Sequence, residues 1–196
     1  DGGRPAAWYT ERPGRWIADT RDSFADIERK RYYLGAGGTL RSEGVSLNKI
    51  IASPQHTGAD GGEYCAIWLG PEMPGDQRAD DGLSVTFDGP ETHEDTDIVG
   101  APVIHLRLSS DKPQAQLAVR LNHVHPDGAS TRITYGVLNL SHHGGHAAPE
   151  PLIPDKAFDV SFALDQIAYR LPRGHRLRVA ISSAYWPLIW PSPPAA

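Results

Sequence analysis

The sequence predicts an all-β domain, a jelly-roll β-sandwich of about eight or more short strands with an irregular N-terminal arm and few short helical turns. Three observations carry this prediction. From residue 83 onward, apolar and polar residues alternate in run after run, the period-two signature of strands with one buried face. The 20 glycines and 17 prolines fall between those runs and not in one block, as turns between many short strands require. No run has the length and 3.6-residue apolar period of a long helix.

At 196 residues, with 39% hydrophobic and 22% charged side chains, the chain is large enough to bury one real core. The expected division is an arm over residues 1–28 and a single domain over 29–196. Arg4-Pro5 and Arg12-Pro13-Gly14 punctuate the arm, yet it holds Trp8, Tyr9, Trp16 and Ile17. Side chains of that size demand burial, so the arm is expected to lie across its own domain or to bridge to a neighbour. Residues 29–35 read as the first strand, stopped by Gly35, Gly37 and Gly38. Residues 47–52 and 63–69 read as short strands among loops rich in Gly and Pro.

Beyond residue 83 the pattern sharpens. Leu83, Val85 and Phe87 alternate with Ser84, Thr86 and Asp88 until Gly89-Pro90 ends the run. An acidic loop at 91–97 precedes a strand over 99–109 with Ile104, Leu106 and Leu108 on one face. After a turn at Asp111-Lys112-Pro113, Leu117, Val119 and Leu121 line one face of the next strand. Pro126-Asp127-Gly128 is a hairpin signal, and Ile133, Tyr135 and Val137 share a side of the returning strand. A loop rich in His, Gly and Pro spans 141–154. Phe158, Val160, Phe162 and Leu164 alternate again, and 165–169 reads as a single helical turn.

The closing stretch holds three kinds of chemistry in series. Pro172, Arg173 and Gly174 form a turn. Leu177, Val179 and Ile181 then face one way, Arg176, Arg178 and Ala180 the other. Last comes Tyr185-Trp186-Pro187-Leu188-Ile189-Trp190-Pro191, aromatics pinned between prolines that exclude a helix. This tail is too apolar to stand free in water. It is expected to strap the end of the β core, to present an aromatic surface to another domain or a pocket, or to do both.

The remaining motifs mostly exclude chemistry. A net charge of −5 gives no basic footprint for nucleic acid or for an anionic membrane surface. No run of about eighteen apolar residues exists, and no signal-peptide pattern opens the chain. Cys65 is the sole cysteine; it excludes an internal disulfide and reads as a small buried residue. The lack of disulfides is compatible with a cytoplasmic location. The chain starts at Asp1 without methionine, so it is read as processed or excised.

No G-x-S-x-G elbow occurs: Ser130 follows Gly128, but Arg132 stands where the second glycine belongs. His142, His143 and His146 surround Gly144 and Gly145, which argue against the helix that would hold two imidazoles on one zinc. They read as a solvated loop. His123 and His125 flank the hairpin and read as exposed or internally satisfied. Glu91, Glu94, Asp95 and Asp97 lack calcium-loop spacing. No metal and no cofactor is expected.

Several blocks nevertheless resemble a known domain. They are residues 79–87 (Ala-Asp-Asp-Gly-Leu-Ser-Val-Thr-Phe), 98–103 (Ile-Val-Gly-Ala-Pro-Val), 117–121 (Leu-Ala-Val-Arg-Leu), 127–136 (Asp-Gly-Ala-Ser-Thr-Arg-Ile-Thr-Tyr-Gly) and 174–182 (Gly-His-Arg-Leu-Arg-Val-Ala-Ile-Ser). Together they are similar to the C-terminal domain of the X-Pro dipeptidyl-peptidase and cocaine-esterase (CocE/NonD) class of serine hydrolases, collinearly from about Trp8 to the end. The resemblance implies a galactose-binding-like jelly roll. It further implies a preceding α/β-hydrolase domain that carries the Ser-His-Asp triad, with this domain packed on it, shaping its cleft and contributing to homo-oligomer contacts.

No hydrolase domain, elbow serine or triad is present here, so no catalytic residue is expected and the chain alone should be inert. Trp8, Trp16, Tyr185, Trp186 and Trp190 are the candidate contacts with such a domain. The alternatives are a free-standing carbohydrate- or ligand-binding module and an independent esterase built on an unexpected Ser-His pair.

Overall fold

The computed structural model describes residues 27–63 and 73–190. The arm with Trp8, Tyr9, Trp16 and Ile17 lies outside the described residues. So do Cys65, all but the first residue of the strand expected at 63–69, and residues 191–196.

Ten strands, one short α-helix and one 3-10 turn are described, in the order β1 (Tyr33–Gly35), β2 (Thr39–Arg41), α1 (Arg78–Gly82), β3 (Val85–Asp88), β4 (Thr96–Gly100), β5 (Val103–Leu108), β6 (Gln116–Val124), β7 (Ser130–Asn139), the 3-10 turn Leu140–His142, β8 (Phe158–Ala163), β9 (Ile167–Leu171) and β10 (Arg176–Ser182). This is an all-β sandwich, as the alternation predicts. One layer is a six-stranded sheet in the order β1-β2-β3-β10-β6-β7. The other is a ribbon: β4 pairs with β9 and β5 with β8, all antiparallel. The two pairs lie in line along the chain, and Leu164 N–H donating to Pro102 O at 2.8 Å joins them.

The core lies between the layers. Leu117, Val119 and Leu121 of β6, Ile181 of β10 and Phe87 of β3 meet Val160 and Leu164 from the ribbon side, with Ile104, Leu106, Phe158 and Phe162 packed around them. Neighbouring strands share this inner face because register pairs Val179 with Leu121 and Ile181 with Val119. All seven side chains from Leu117 to His123 along β6 are buried. Burial on both faces follows from its position inside the sheet and from a roof on the outer side, described below.

Four local expectations change. The strand expected at 99–109 is two, broken at Gly100-Ala101-Pro102, where proline removes a ladder donor. The turn expected at 165–169 is extended as β9, because Ile167 to Leu171 complete the pairing with β4. Strand structure at the start is limited to Tyr33–Gly35, and residues 47–52 form no strand. Finally, Ile133, Tyr135 and Val137 do not share a face. The ladder slips between Leu121 and Asn122, opposite Thr134 and Arg132, leaving Ile133 as the extra residue. Ile133 packs on the core, whereas Tyr135 and Val137 pair with Arg120 and Ala118 of the outer face. Gly136, now inward, is needed there: a Cβ would lie 2.8 Å from Leu164 Cδ2 and 3.2 Å from Ala163 O.

Candidate functional site

The parity that fills the core also collects three histidines at its end. On β6 the inward series Leu117, Val119, Leu121 continues into His123 and then His125 just past the strand. On β10 the inward series Ile181, Val179, Leu177 continues backward into His175. Register pairs Leu177 with His123 and Arg176 with Val124, so one further step brings His175 opposite His125, on the same face. The rings meet as this requires. His123 stacks on His125 with centroids 3.9 Å apart, and His175 lies 4.6 Å from His123 and 5.2 Å from His125.

Turns hold both carriers in place. At the hairpin His125 N–H donates to Ala129 O at 2.8 Å, and Gly128, at φ 86°, donates to His125 O at 2.9 Å. At the other turn Thr92 receives Gly174 N–H at 2.8 Å and donates to His175 O at 2.9 Å, and its hydroxyl donates to Pro172 O at 2.6 Å.

The ring nitrogens have defined partners. The Tyr169 hydroxyl, reaching from β9 in the facing layer, lies 2.7 Å from His123 Nδ1. His123 Nε2 is hydrogen-bonded to His175 Nδ1, and His125 Nε2 is 3.0 Å from Thr131 Oγ1. His123 is 2% exposed, while the other two are half-buried. Burial pushes the His123 imidazole down to about 3, with His125 and His175 adding repulsion. His175 is also held below its ordinary value, by burial and by His125, against the pull of Asp127 and Asp95. Three imidazoles in one place cannot all be charged.

The outer face of the sheet carries a second polar assembly. Asp81 of α1 accepts from Asn122 Nδ2 at 2.8 Å, Ser130 Oγ at 2.7 Å and Arg178 at 3.1 Å, and pairs with Arg120 at 3.2 Å. Arg120 also donates to Gln77 Oε1 and Ser84 Oγ, both at 2.9 Å. Arg178 forks onto Asp88, opposite it in register, at 2.6 and 2.7 Å. Such an arrangement suits buried ions, since each is paired and hydrogen-bonded. Asp80 latches the preceding loop, accepting from the N–H of Gly58 at 2.7 Å and of Asp60 at 3.1 Å. These contacts position a roof. They set one serine hydroxyl, Ser130, on a carboxylate, Asp81, but both are buried and no histidine is among their partners.

The strap completes that roof. Tyr185 is 0% exposed; its hydroxyl accepts a hydrogen bond from Arg132 Nη1 at 2.5 Å, and its ring lies 5.5 Å from Tyr135. Trp186 N–H donates to Thr57 O at 2.7 Å. Gly58, at φ 109°, allows this approach, because a Cβ there would lie 2.5 Å from Trp186 O. Tyr185 is thus an internal anchor whose side chain offers no surface. Trp186 and Trp190 are 36% and 73% exposed, their rings edge-to-face at 5.2 Å. Trp8 and Trp16 lie outside the described residues.

The histidine cluster was not expected from the sequence. The sequence puts His123 and His125 beside the hairpin and His175 only at the head of an alternating strand. The signal lay in parity, two residues beyond the last leucine on each strand. His142, half-buried at the end of a 3-10 turn, and His146, exposed, have Nδ1 atoms 3.2 Å apart.

Comparison with known proteins places this geometry. The family described as X-Pro dipeptidyl-peptidase C-terminal non-catalytic domain matches residues 5–196. Two proteins named as serine esterases, from Mycobacterium bovis and Mycobacterium tuberculosis, are each 24% identical over 92% of this chain and 32% of their own length. The chain therefore spans about a third of these relatives. An α-amino acid ester hydrolase structure superposes with a TM-score of 0.71 at 23% identity, over 85% of this chain and 30% of that one. An aminopeptidase from a marine sediment archaeon, Thaumarchaeota archaeon, superposes at 0.67 and 19% identity, over 84% and 30%. At these identities the structures share the fold.

Proposed function

Because the chain belongs to the family of X-Pro dipeptidyl-peptidase C-terminal non-catalytic domains, we propose that it serves as the accessory domain of a serine hydrolase acting on an acyl ester or an X-Pro peptide. In this reading it is a jelly roll that packs on an α/β-hydrolase domain of the same protein, helps to shape the cleft there and supports homo-oligomer contacts. The reaction, attack of a serine on an ester or amide carbonyl through an acyl-enzyme, belongs to that other domain. The observation that carries the proposal is the match over residues 5–196 to a domain described as non-catalytic. The serine-esterase names of relatives about three times as long are in keeping with it.

The serine hydroxyls favour inertness of this chain. Ser84 donates to Asp80 O, Ser130 to Asp81, Ser141 to Asn139 and Ser182 to Ala184 O. A nucleophile needs a base within hydrogen-bond reach and access to substrate; of these four only Ser130 meets a carboxylate, and both it and Asp81 are buried. Trp186 and Trp190 are the proposed described contacts with the hydrolase domain, since interdomain surfaces favour aromatic anchors. Trp8 and Trp16 of the arm are proposed to share that role.

Reading the coding sequence immediately upstream of Asp1 tests the proposal. An α/β-hydrolase segment with a G-x-S-x-G elbow is expected. A start codon directly before Asp1 would overturn it in favour of a free-standing carbohydrate- or ligand-binding module. Turnover of p-nitrophenyl acetate above buffer by the purified chain would overturn its inertness.

A further inference from the structure

We propose that His123, His125 and His175 form a binding site for a first-row transition-metal dication of the zinc class, tying β6 to β10 at the open end of the sandwich. The inference goes beyond the accessory-domain reading, and it rests on placement. One ring nitrogen from each of the three histidines can be chosen so that all lie within 4.8 Å of one another. Three donors about 2 Å from a common zinc ion would stand a little over 3 Å apart, so small rotations of two half-buried rings bring the set into range.

The donor chemistry selects the class of metal. Three neutral imidazoles suit zinc, copper and nickel, and disfavour magnesium and calcium, which take oxygen. Outer partners orient the rings in the way metal sites use. Tyr169 engages Nδ1 of His123, which directs Nε2 toward His175, and Thr131 engages Nε2 of His125. Asp127 and Asp95 place negative charge near His175, which a divalent ion would favour. His125 and His175 are partly exposed, so ions can enter and a water can complete the coordination.

The site differs from the loop pair His142 and His146. In that pair His142 is half-buried and His146 exposed, two glycines lie between them, and no third donor joins them among the described residues. Its imidazoles therefore serve as the internal control.

The test is calorimetric titration of the untagged 196-residue chain with Zn2+, followed by absorption spectroscopy with Co2+. Saturable 1:1 binding is expected, with cobalt d–d bands of a low-coordinate nitrogen site. His125→Ala and His175→Ala should each weaken binding by more than about 100-fold, and Tyr169→Phe by about 10-fold, the range for losing an outer partner. The double variant His142→Ala/His146→Ala should bind as the parent does. His123 is buried enough that its removal endangers folding, so the two half-buried histidines carry the test, with circular dichroism confirming the fold. No saturable binding, or binding that survives both substitutions, would overturn the proposal. So would binding lost only with His142 and His146.

Discussion

Arg120 and Asp81 face each other across 3.2 Å with their side chains 0% and 3% exposed, joining the centre of the sheet to the short helix laid over it. The outer face of β6 is therefore buried yet polar. Ser84, Gln77, Asn122, Ser130 and Arg178 satisfy much of what the pair leaves over.

Breaking this pair should cost far more than breaking a surface one. Asp81→Ala leaves Arg120 buried without its counter-ion, and a loss of about 3–5 kcal/mol is expected from urea unfolding. The control is Arg107–Asp159, 3.1 Å apart but with side chains 70% and 73% exposed; Asp159→Ala should change stability by less than about 1 kcal/mol. Equal effects of the two substitutions would refute the claim that burial makes the Arg120–Asp81 pair costlier to break.

Tyr185 gives the domain an alkaline limit. Burial raises its phenol above the ordinary value of 10.0, against the lowering influence of Arg132 and Arg120. The folded state thus holds this proton more tightly than the unfolded chain does. The associated stability is whole below the unfolded value of 10.0 and is lost as pH rises from there through the folded value. In an absorbance titration one tyrosine should ionise later than the rest, and Tyr185→Phe should delete that late step. A late step that persists in Tyr185→Phe would refute the assignment.

The two ends of the strap should separate in mutagenesis. Tyr185→Ala empties a buried site and is expected to cost about 3–5 kcal/mol. Trp190→Ser removes an exposed ring and should shift stability by no more than about 0.5 kcal/mol. If Trp186 and Trp190 form a docking surface, the isolated chain should bind ANS or self-associate, and Trp190→Ser should reduce both. A clean monomer that binds no dye would count against docking.

Much of the architecture was legible because period-two alternation is a local signal. Alternation gives Leu117, Val119, Leu121 and Leu177, Val179, Ile181 one face each, and those faces meet in the core. What failed was long-range or depended on one extra residue. Nothing near Ile133 announces the slip that turns Tyr135 outward, since the bulge is defined by its partner strand. Ile167 to Tyr169 read as part of a turn because half of what makes them a strand lies in β4, about seventy residues earlier. Alternation with apolar neighbours puts Arg120, Asn122 and Arg178 on the opposite face of their strands, which is normally the solvated one. Only α1 and the strap, brought over them by folding, make that face interior. The histidines escaped for a similar reason, because His123 and His175 are 52 residues apart and only register makes them neighbours.

One topological fact bears on biosynthesis. The last strand in sequence, β10, lies inside the sheet, between β3 and β6. A ribosome making this domain from the N-terminus must release nearly all of it before those two partners can be bridged. Until then β3 and β6 each present an unpaired edge, the kind of template on which nascent chains aggregate. Premature termination before Arg176 would remove the sheet's connecting strand and the strap behind it. Such a product should be cleared as misfolded and not persist as a shortened domain.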